Sequence, residues 1–438
     1  MARWPLWGIG GLAFIQAVSF MALAVGEVLP LPVHDLMGML LSYDALGLSM
    51  AWLLPLHNSH AILLPRLVLA LDVWLFDGAT IGLASFALLA RGAVFFMLAW
   101  AVWRVRDIAP SLRGMAIAAL ALLLFQGFLL ETIAIPNGYN YEMMAVFSVA
   151  SLICASHGRS FILASLFALA ASLCLANGIL LFLVLASVAW MQAEEWKQRF
   201  AWMLPIALSG AAAAGFYLAG SSAGDGLHDF NAWTVAHFML RMAGAPLTIW
   251  LPVLGHGIGL LLLLASLAGI VWAIRNRFRL DSLGRLAFCL LLFGFGSLFM
   301  VAVGRVGAGF GAEIATAGRY GLLTAFLYAG LVLLLLRMPW ITRPAILRGF
   351  QGGLLAIALC LVCLQFGFGR SYVRLRDLVA HNAVALRAGA RDVALLAHMQ
   401  PDAVVAWRFF DLLQQRQLYG FGKPEDAKRA AEYKQTAE

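Results

Sequence analysis

Long runs of apolar residues alternate with short polar connections along most of the chain. About eleven runs approach the roughly 20 residues with which an α-helix crosses a bilayer. Two of them flank Asn177 and Gly178, are short, and could form a broken or re-entrant pair instead. The pattern predicts an all-α polytopic membrane protein with spans near residues 5–26, 79–103, 114–133, 143–156, 160–174, 178–192, 201–219, 250–274, 286–304, 320–336 and 349–368.

One long polar segment, residues 27–78, separates the first two apolar runs, and we call it the first loop. Connections between packed helices are usually short, and long ones tend to carry function. We therefore expect the first loop to supply the front half of a functional site at a membrane surface. Its polar residues include Glu27, His34, Asp35, Asp44, His57, Asn58, His60, Arg66, Asp72 and Asp77.

The composition supports a membrane location for the chain. Hydrophobic residues make up 63% of the 438 residues and charged residues only 12%, whereas soluble domains carry about 25% charged residues. The five cysteines all lie in apolar runs. We therefore interpret them as packing residues rather than as a disulfide framework.

Basic residues are concentrated on connections that would share one side of the membrane. Up to residue 368, the connections on the other side of the membrane hold only four arginines, at positions 66, 241, 305 and 319. This asymmetry predicts a cytoplasmic N-terminus and an extracytoplasmic first loop. The net charge of +8 then reflects topology, and nucleic acid is not an expected partner. The basic residues on the predicted cytoplasmic side are Arg104, Arg106, Arg113, Arg159, Lys197, Arg199, Arg275, Arg277, Arg279, Arg285, Arg337, Arg343 and Arg348.

The chain changes character after the last apolar run. Residues 1–368 form the predicted transmembrane module, and charged residues become frequent in residues 369–438. Apolar residues recur there at helical spacing, which predicts an amphipathic helical tail. The span count places this tail on the same side as the first loop.

Two carboxylates of the first loop are candidate general bases. Asp35 follows the first span by about nine residues, and Asp44 lies further along in Ser42-Tyr43-Asp44. A carboxylate near a partly dry interface can have a raised pKa and accept a proton from a sugar hydroxyl. The alternative for either residue is a helix N-cap.

The sequence His57-Asn58-Ser59-His60 concentrates donors and acceptors, and we interpret it as one side of a short helix that contacts a ligand. Simple polar pairing and a metal site are alternatives, but no nearby cysteine or HExxH pattern supports zinc. Arg66 follows soon after and needs an anion or a carbonyl as partner. Asp72 and Asp77 are possible anions for it.

A second polar region lies late in the chain, where Arg305 and Arg319 frame a glycine-rich loop. Arginine suits phosphate oxygens, and glycines let backbone N–H groups approach an anion. Snorkelling of isolated arginines beside Tyr320 is the alternative. Tyr139 is a further outer residue that could line a sugar pocket.

These residues resemble the GT-C superfamily of multi-spanning glycosyltransferases. The resemblance covers residues 5–368 and is carried by a long acidic first loop and by late arginines. In particular, His34-Asp35, His57-Asn58-Ser59-His60 with Pro65-Arg66, and Arg319-Tyr320 resemble bacterial members. Many members have adjacent acidic residues in this loop, whereas Leu36 follows Asp35 here, so Asp35 and Asp44 both stay possible bases.

The resemblance implies an inverting transfer of a sugar from a polyprenyl-phosphate donor to a glycan, lipid or protein acceptor. The implied location is the outer face of a bacterial inner membrane. No cofactor is implied, and a divalent cation is left open. The residues that would contact substrate are His34, His57, Asn58, His60, Arg66, Tyr139, Arg305, Arg319 and Tyr320.

Other classes of membrane protein fit part of the pattern. A flippase or secondary transporter has a similar number of spans but usually buries ionisable groups at mid-membrane depth. An O-antigen polymerase or ligase also handles lipid-linked sugars, although its large outer loop usually lies late in the chain. A purely structural role is a further alternative.

Overall fold

The computed structural model describes residues 4–78, 80–135, 138–158, 160–220, 231–245, 247–277, 280–396, 399–400 and 402–421. Within these ranges the chain is helical and contains no β-strand, apart from one isolated bridge between His57 and His60. The α-helices in chain order are α1 Trp4–Gly26, α2 Asp35–Leu46, α3 Met50–Leu53, α4 Leu63–Phe76, α5 Ile81–Trp103, α6 Pro110–Leu124, α7 Glu131–Ala134, α8 Tyr139–Ser156, α9 Phe161–Ser172, α10 Leu180–Gln192, α11 Trp196–Gly220, α12 Ala232–Ala243, α13 Leu247–Trp250, α14 Pro252–Arg275, α15 Ser282–Gly307, α16 Gly318–Leu335, α17 Pro344–Arg387 and α18 Ala403–Arg416.

Helices occupy all eleven of the predicted apolar runs. In the described part of the chain, seven helices are long and apolar enough to cross a membrane: α1, α5, α11, α14, α15, α16 and α17. The bent pair formed by α6 and residues 127–134, with an angle of 49°, would be an eighth. The all-α architecture is therefore confirmed and is consistent with a polytopic membrane protein, and the count of about eleven spans stays a prediction.

The first and last spanning helices, α1 and α17, pack side by side and run in the same direction. Near their middle, the Gln365 side chain donates to the Gln16 carbonyl oxygen at 2.9 Å. Towards their ends, Arg376 lies 3.8 Å from the Glu27 carboxylate. The first loop and the C-terminal segment therefore share one end of the bundle, which we call the loop end. Helix α17 continues through the predicted domain boundary at residue 368 without a break.

The opposite end of the bundle, which we call the arginine-rich end, carries the basic connections. There the Arg337 guanidinium pairs with Asp107 at 2.6 Å and also with Asp281. Arg285 donates to the Ser156 carbonyl oxygen at 2.8 Å. The grouping of connections by side that the sequence predicts is thus matched by contacts in the fold, whereas the orientation in the membrane stays a prediction.

A buried ion pair joins the helices at the centre of the bundle. Arg91 of α5 and Glu142 of α8 are both fully buried, and the Arg91 Nε–Glu142 Oε2 distance is 2.9 Å. Arg91 also donates to Thr132 Oγ1 at 3.0 Å and to the Leu124 carbonyl oxygen at 2.6 Å, and it lies over the Phe20 ring. Because an unpaired charge costs several kcal/mol at such a site, this network holds α5, α6, α7 and α8 together.

Replacing Arg91 by leucine leaves the Glu142 carboxylate buried without its cation. We expect Arg91→Leu to lower the free energy of unfolding by about 3–5 kcal/mol, as measured by denaturant unfolding in detergent. Adding Glu142→Gln should recover part of the loss, because the uncompensated charge is then removed. Arg104→Leu, at the solvent end of the same helix, is the control and should change stability little. An Arg91→Leu protein as stable as wild type would show that the pair does not hold the bundle.

Candidate functional site

The segment His57-Asn58-Ser59-His60 forms a tight turn, so the short helix predicted from the sequence is wrong. The backbone groups of His57 and His60 exchange hydrogen bonds of 2.9 and 2.8 Å. Asn58 and Ser59 have φ values of 47° and 62°, as in a type I′ turn, where asparagine tolerates a positive φ well. Opposed residues of an antiparallel pair project to the same face. The turn therefore presents both imidazoles together.

Asp35 is the first residue of α2 and faces this turn. Its Oδ2 accepts a hydrogen bond from Asn58 Nδ2 at 3.0 Å and lies 3.5 Å from His57 Nε2. Asp35 is not the N-cap of α2, because that position belongs to His34. The contact with His57 lowers the pKa of Asp35 below its ordinary value and outweighs the effect of partial burial. The raised pKa expected from the sequence is therefore wrong, and Asp35 is ionised at neutral pH.

His34, the residue before Asp35, has a strained backbone that is held by the C-terminal segment. Its φ of 53° and ψ of −132° fall in a region that glycine adopts far more readily than other residues. The His34 N–H donates to the Met399 carbonyl oxygen at 2.6 Å. The His34 carbonyl oxygen accepts from Gln400 Nε2 at 3.0 Å. Both backbone groups of the residue that positions Asp35 are thus bound by the tail.

Arg319, in the first turn of α16, is bound by a carboxylate. Its guanidinium donates to Glu131 Oε1 at 2.9 Å, and the other Glu131 oxygen accepts from the Gly318 N–H. The sequence offers Glu131 only as one of several outer polar residues that could line a sugar pocket, although a carboxylate inside the predicted span 114–133 is a signal for an ionic partner. Both charges also act on the His34 imidazole, whose pKa is lowered mainly by burial. The ion pair therefore lies beside the first loop.

Arg305, in the last turn of α15, is the cation of this region without a carboxylate partner. It forms no ion pair with any residue of the described ranges. Its guanidinium lies over the Phe310 ring at 5.3 Å and over the Tyr320 ring at 6.0 Å. Tyr320 is also 5.3 Å from the Arg319 guanidinium. The Tyr320 ring therefore lies within cation–π distance of both Arg319 and Arg305.

His60 connects the first loop to the late arginines. Burial lowers the pKa of His60 to about 4, with a further contribution from the charge of Arg305. The charge of Asp35 opposes that shift, so both groups lie within electrostatic range of the same imidazole. The Nδ1 atom of His60 is buried and has no hydrogen-bond partner in the described part of the chain. A neutral histidine is therefore within electrostatic range of both the ionised carboxylate and Arg305.

Arg66 and Tyr139, two predicted substrate contacts, are not brought into this cluster. The Arg66 guanidinium is bound by backbone, because it donates to the carbonyl oxygens of Leu53, at 3.0 Å, and of Pro55. The Tyr139 hydroxyl is buried and donates to the Pro65 carbonyl oxygen at 2.9 Å. Of the partners weighed for Arg66, the carbonyls are therefore the ones observed. Both side chains therefore bind backbone carbonyl oxygens of the first loop.

Asp44, the second candidate base, lies near the far end of α2 and also stays outside the cluster. Its carboxylate pairs with Arg416 of α18 at 2.8 Å. Because α2 begins at Asp35 and ends at Leu46, the two carboxylates lie near opposite ends of the same helix. Asp72, which is an alternative partner for Arg66 in the sequence analysis, lies instead against Gly82 at the start of α5, where an added Cβ would be 2.2 Å from Asp72 Oδ1.

Comparison with known proteins gives no match to any family model, curated protein or solved structure. Over the described ranges, no group of three or more His, Cys, Asp or Glu side chains is arranged to hold a metal ion. The charged and titratable groups that the structure gathers at the loop end include Asp35, the neutral His60, Arg319 with its partner Glu131, and Arg305.

The strain at His34 can be separated from the role of its side chain. His34→Gly and His34→Ala both remove the imidazole, but only glycine relieves the positive φ. We expect the glycine variant to exceed the alanine variant in free energy of unfolding by about 1–3 kcal/mol, measured in detergent with a chemical denaturant. Equal stabilities would mean that the tail does not hold His34 in this conformation.

Proposed function

We propose that this protein is a membrane glycosyltransferase of the GT-C type that transfers a sugar from a polyprenyl-phosphate donor to an acceptor hydroxyl. The observation that supports the proposal most directly is that a carboxylate and a guanidinium lie at the loop end without pairing with each other. Asp35 is an ionised carboxylate, Arg305 has no carboxylate partner within the described ranges, and both act on the same neutral His60. Sugar transfer from a lipid phosphate needs a proton acceptor and a cation for the leaving group.

In this proposal Asp35 is the general base. The acceptor oxygen forms a bond to the anomeric carbon, and its proton passes to a carboxylate oxygen of Asp35. The bond between that carbon and the phosphate oxygen breaks, and its electron pair leaves with the phosphate. Attack from the face opposite the leaving group inverts the configuration. The hydrogen bond from Asn58 at 3.0 Å and the nearby His57 orient the carboxylate for this step.

Arg305 binds the phosphate of the donor in the same proposal. Negative charge grows on the phosphate as it leaves, so a positioned guanidinium contributes more in the transition state than in the ground state. Arg319 cannot contribute in the same way while Glu131 neutralises it. Its role is to hold α16 and Tyr320 in place beside Arg305. The sequence had suggested two equivalent phosphate ligands.

His60 and Asn58 are suited to bind the sugar. Neutral imidazole offers one donor and one acceptor. The buried Nδ1 of His60 has no hydrogen-bond partner in the described part of the chain, so this atom is available to a sugar hydroxyl. Asn58 is exposed beside Asp35. We place the loop end at the outer face of a bacterial inner membrane, because the basic connections gather at the opposite end. A glycan, lipid or protein would then be the acceptor.

Amide replacement of Asp35 tests the assignment of the base. Asp35→Asn removes proton acceptance and nearly preserves shape, so we expect the transfer rate to fall by about 100-fold or more with donor binding kept. The matched control is Asp44→Asn, which removes the same charge from the same helix but breaks only the ion pair with Arg416. Purified protein is incubated with a panel of polyprenyl-phosphate sugars and envelope lipid extract, and released polyprenyl phosphate is measured.

The same assay tests the phosphate ligand. Arg305→Ala should reduce the rate by about 100-fold and weaken donor binding, whereas Arg104→Ala, another arginine stacked on an aromatic ring, should do neither. If Asp35→Asn and Arg305→Ala keep wild-type rates, the assigned roles are wrong. If wild-type protein binds donors but never releases polyprenyl phosphate, a binding or transport role replaces transfer.

The pH dependence of kcat/KM distinguishes Asp35 from His57 as the base. A base must be deprotonated to act, so activity is lost as the pH falls through its pKa. Because the pKa of Asp35 lies below its ordinary value, the rate should stay constant between about pH 8 and pH 5. An acid limb inside that pH range would contradict Asp35 as the base and would indicate an imidazole instead. In His57→Gln the acid limb of Asp35 should move to higher pH, because the interaction that lowers the pKa of Asp35 is lost.

A further inference from the structure

Two histidines outside the candidate site face each other across the junction of α12 and α14. The Nε2 atoms of His237 and His256 are 3.1 Å apart. Their ring centroids are 5.0 Å apart, and the planes differ by only 13°. Both side chains are half-buried. Neither histidine takes part in the proposed transfer reaction.

Close backbone packing sets the separation of these two histidines. Helices α12 and α14 are joined by the short helix α13 and approach through glycines. A Cβ added to Gly244 would lie 2.0 Å from the Gly255 carbonyl oxygen, and one added to Gly259 would lie 2.2 Å from the Leu240 carbonyl oxygen. The two helices cannot approach this closely with larger residues, so the histidine pair is held by rigid elements rather than by loops.

We propose that His237 and His256 together bind one divalent transition-metal ion of the Ni²⁺, Cu²⁺ and Zn²⁺ group. Neutral imidazole nitrogen is a preferred ligand of these ions. Two nitrogens bound to one tetrahedral Zn²⁺ at about 2.0–2.1 Å lie roughly 3.3 Å apart, close to the 3.1 Å observed between the Nε2 atoms. Water fills the other coordination positions, as expected for a site with two protein ligands.

The position of the pair indicates a structural clip rather than a catalytic metal. A bound ion would link α12 to the start of α14 directly. Helix α12 packs against residues 312–316, the segment between Arg305 and Arg319, so the clip would brace the late loop. Arg241 lies close enough to His237 to act on it electrostatically, and its positive charge opposes a second cation. The proposal does not depend on the glycosyltransferase assignment.

Metal titration of the tag-free full-length protein in detergent tests the site. Zn²⁺ binding is followed by calorimetry, and Ni²⁺ is used as a second probe. We expect His237→Ala or His256→Ala to weaken one binding event by at least about tenfold, since loss of an outer-shell partner alone costs about 10–100-fold. The double variant should lose that event and no other. His157→Ala is the control, because that half-buried imidazole contacts the Ile153 carbonyl oxygen instead.

A variant of the neighbouring cation provides a second, independent measurement. Arg241→Gln removes a like charge and should tighten Zn²⁺ binding without changing the number of sites. The proposal is overturned if wild-type protein binds neither ion, because the pair is then only an imidazole hydrogen bond. It is equally overturned if both alanine variants bind like wild type, because the metal then lies elsewhere.

Discussion

The fold depends on satisfying one buried charge pair, Arg91 with Glu142, inside a mostly apolar bundle. Each charge needs the other, and the remaining donors of Arg91 bind Thr132 and the Leu124 carbonyl oxygen. This requirement fixes the position of the four-residue helix α7, because Thr132 belongs to it. Glu131, the neighbouring residue on α7, binds Arg319. The buried pair at the centre of the bundle therefore also positions one wall of the candidate site.

The other wall is positioned from the far end of the chain. The tail binds the backbone of His34 through Met399 and Gln400 and pairs Arg416 with Asp44. Both ends of α2 are thus attached to the C-terminal segment. Asp35 follows a residue whose backbone is held by Met399 and Gln400, more than 350 positions away, and the strain at His34 is maintained by the same contacts.

Charge pairing decides which groups of the site are available to a ligand. Four ionic groups form the candidate site, namely Asp35, Glu131, Arg305 and Arg319. Of these, Glu131 and Arg319 neutralise each other. Arg305 is left without a carboxylate partner in the described part of the chain, and Asp35 is contacted only by the neutral amide of Asn58 and by His57. A carboxylate and a cation that are held apart can act on different parts of one substrate. Two directly paired groups could not do so.

Hydropathy and charge determined the helices and the grouping of their connections at two ends, because both properties are local to the sequence. The sequence also selected Asp35, His57, His60 and Arg305 as candidate residues. It could not choose between Asp35 and Asp44, since that choice depends on Arg416 and the tail. The turn at Asn58 was missed, and of the two kinds of partner considered for Arg66 only the structure selected the carbonyl oxygens. The pairs of Arg91 with Glu142 and of Arg319 with Glu131 join residues 51 and 188 positions apart. No local pattern encodes such pairs, so only tertiary packing decided which charges were neutralised and which stayed available.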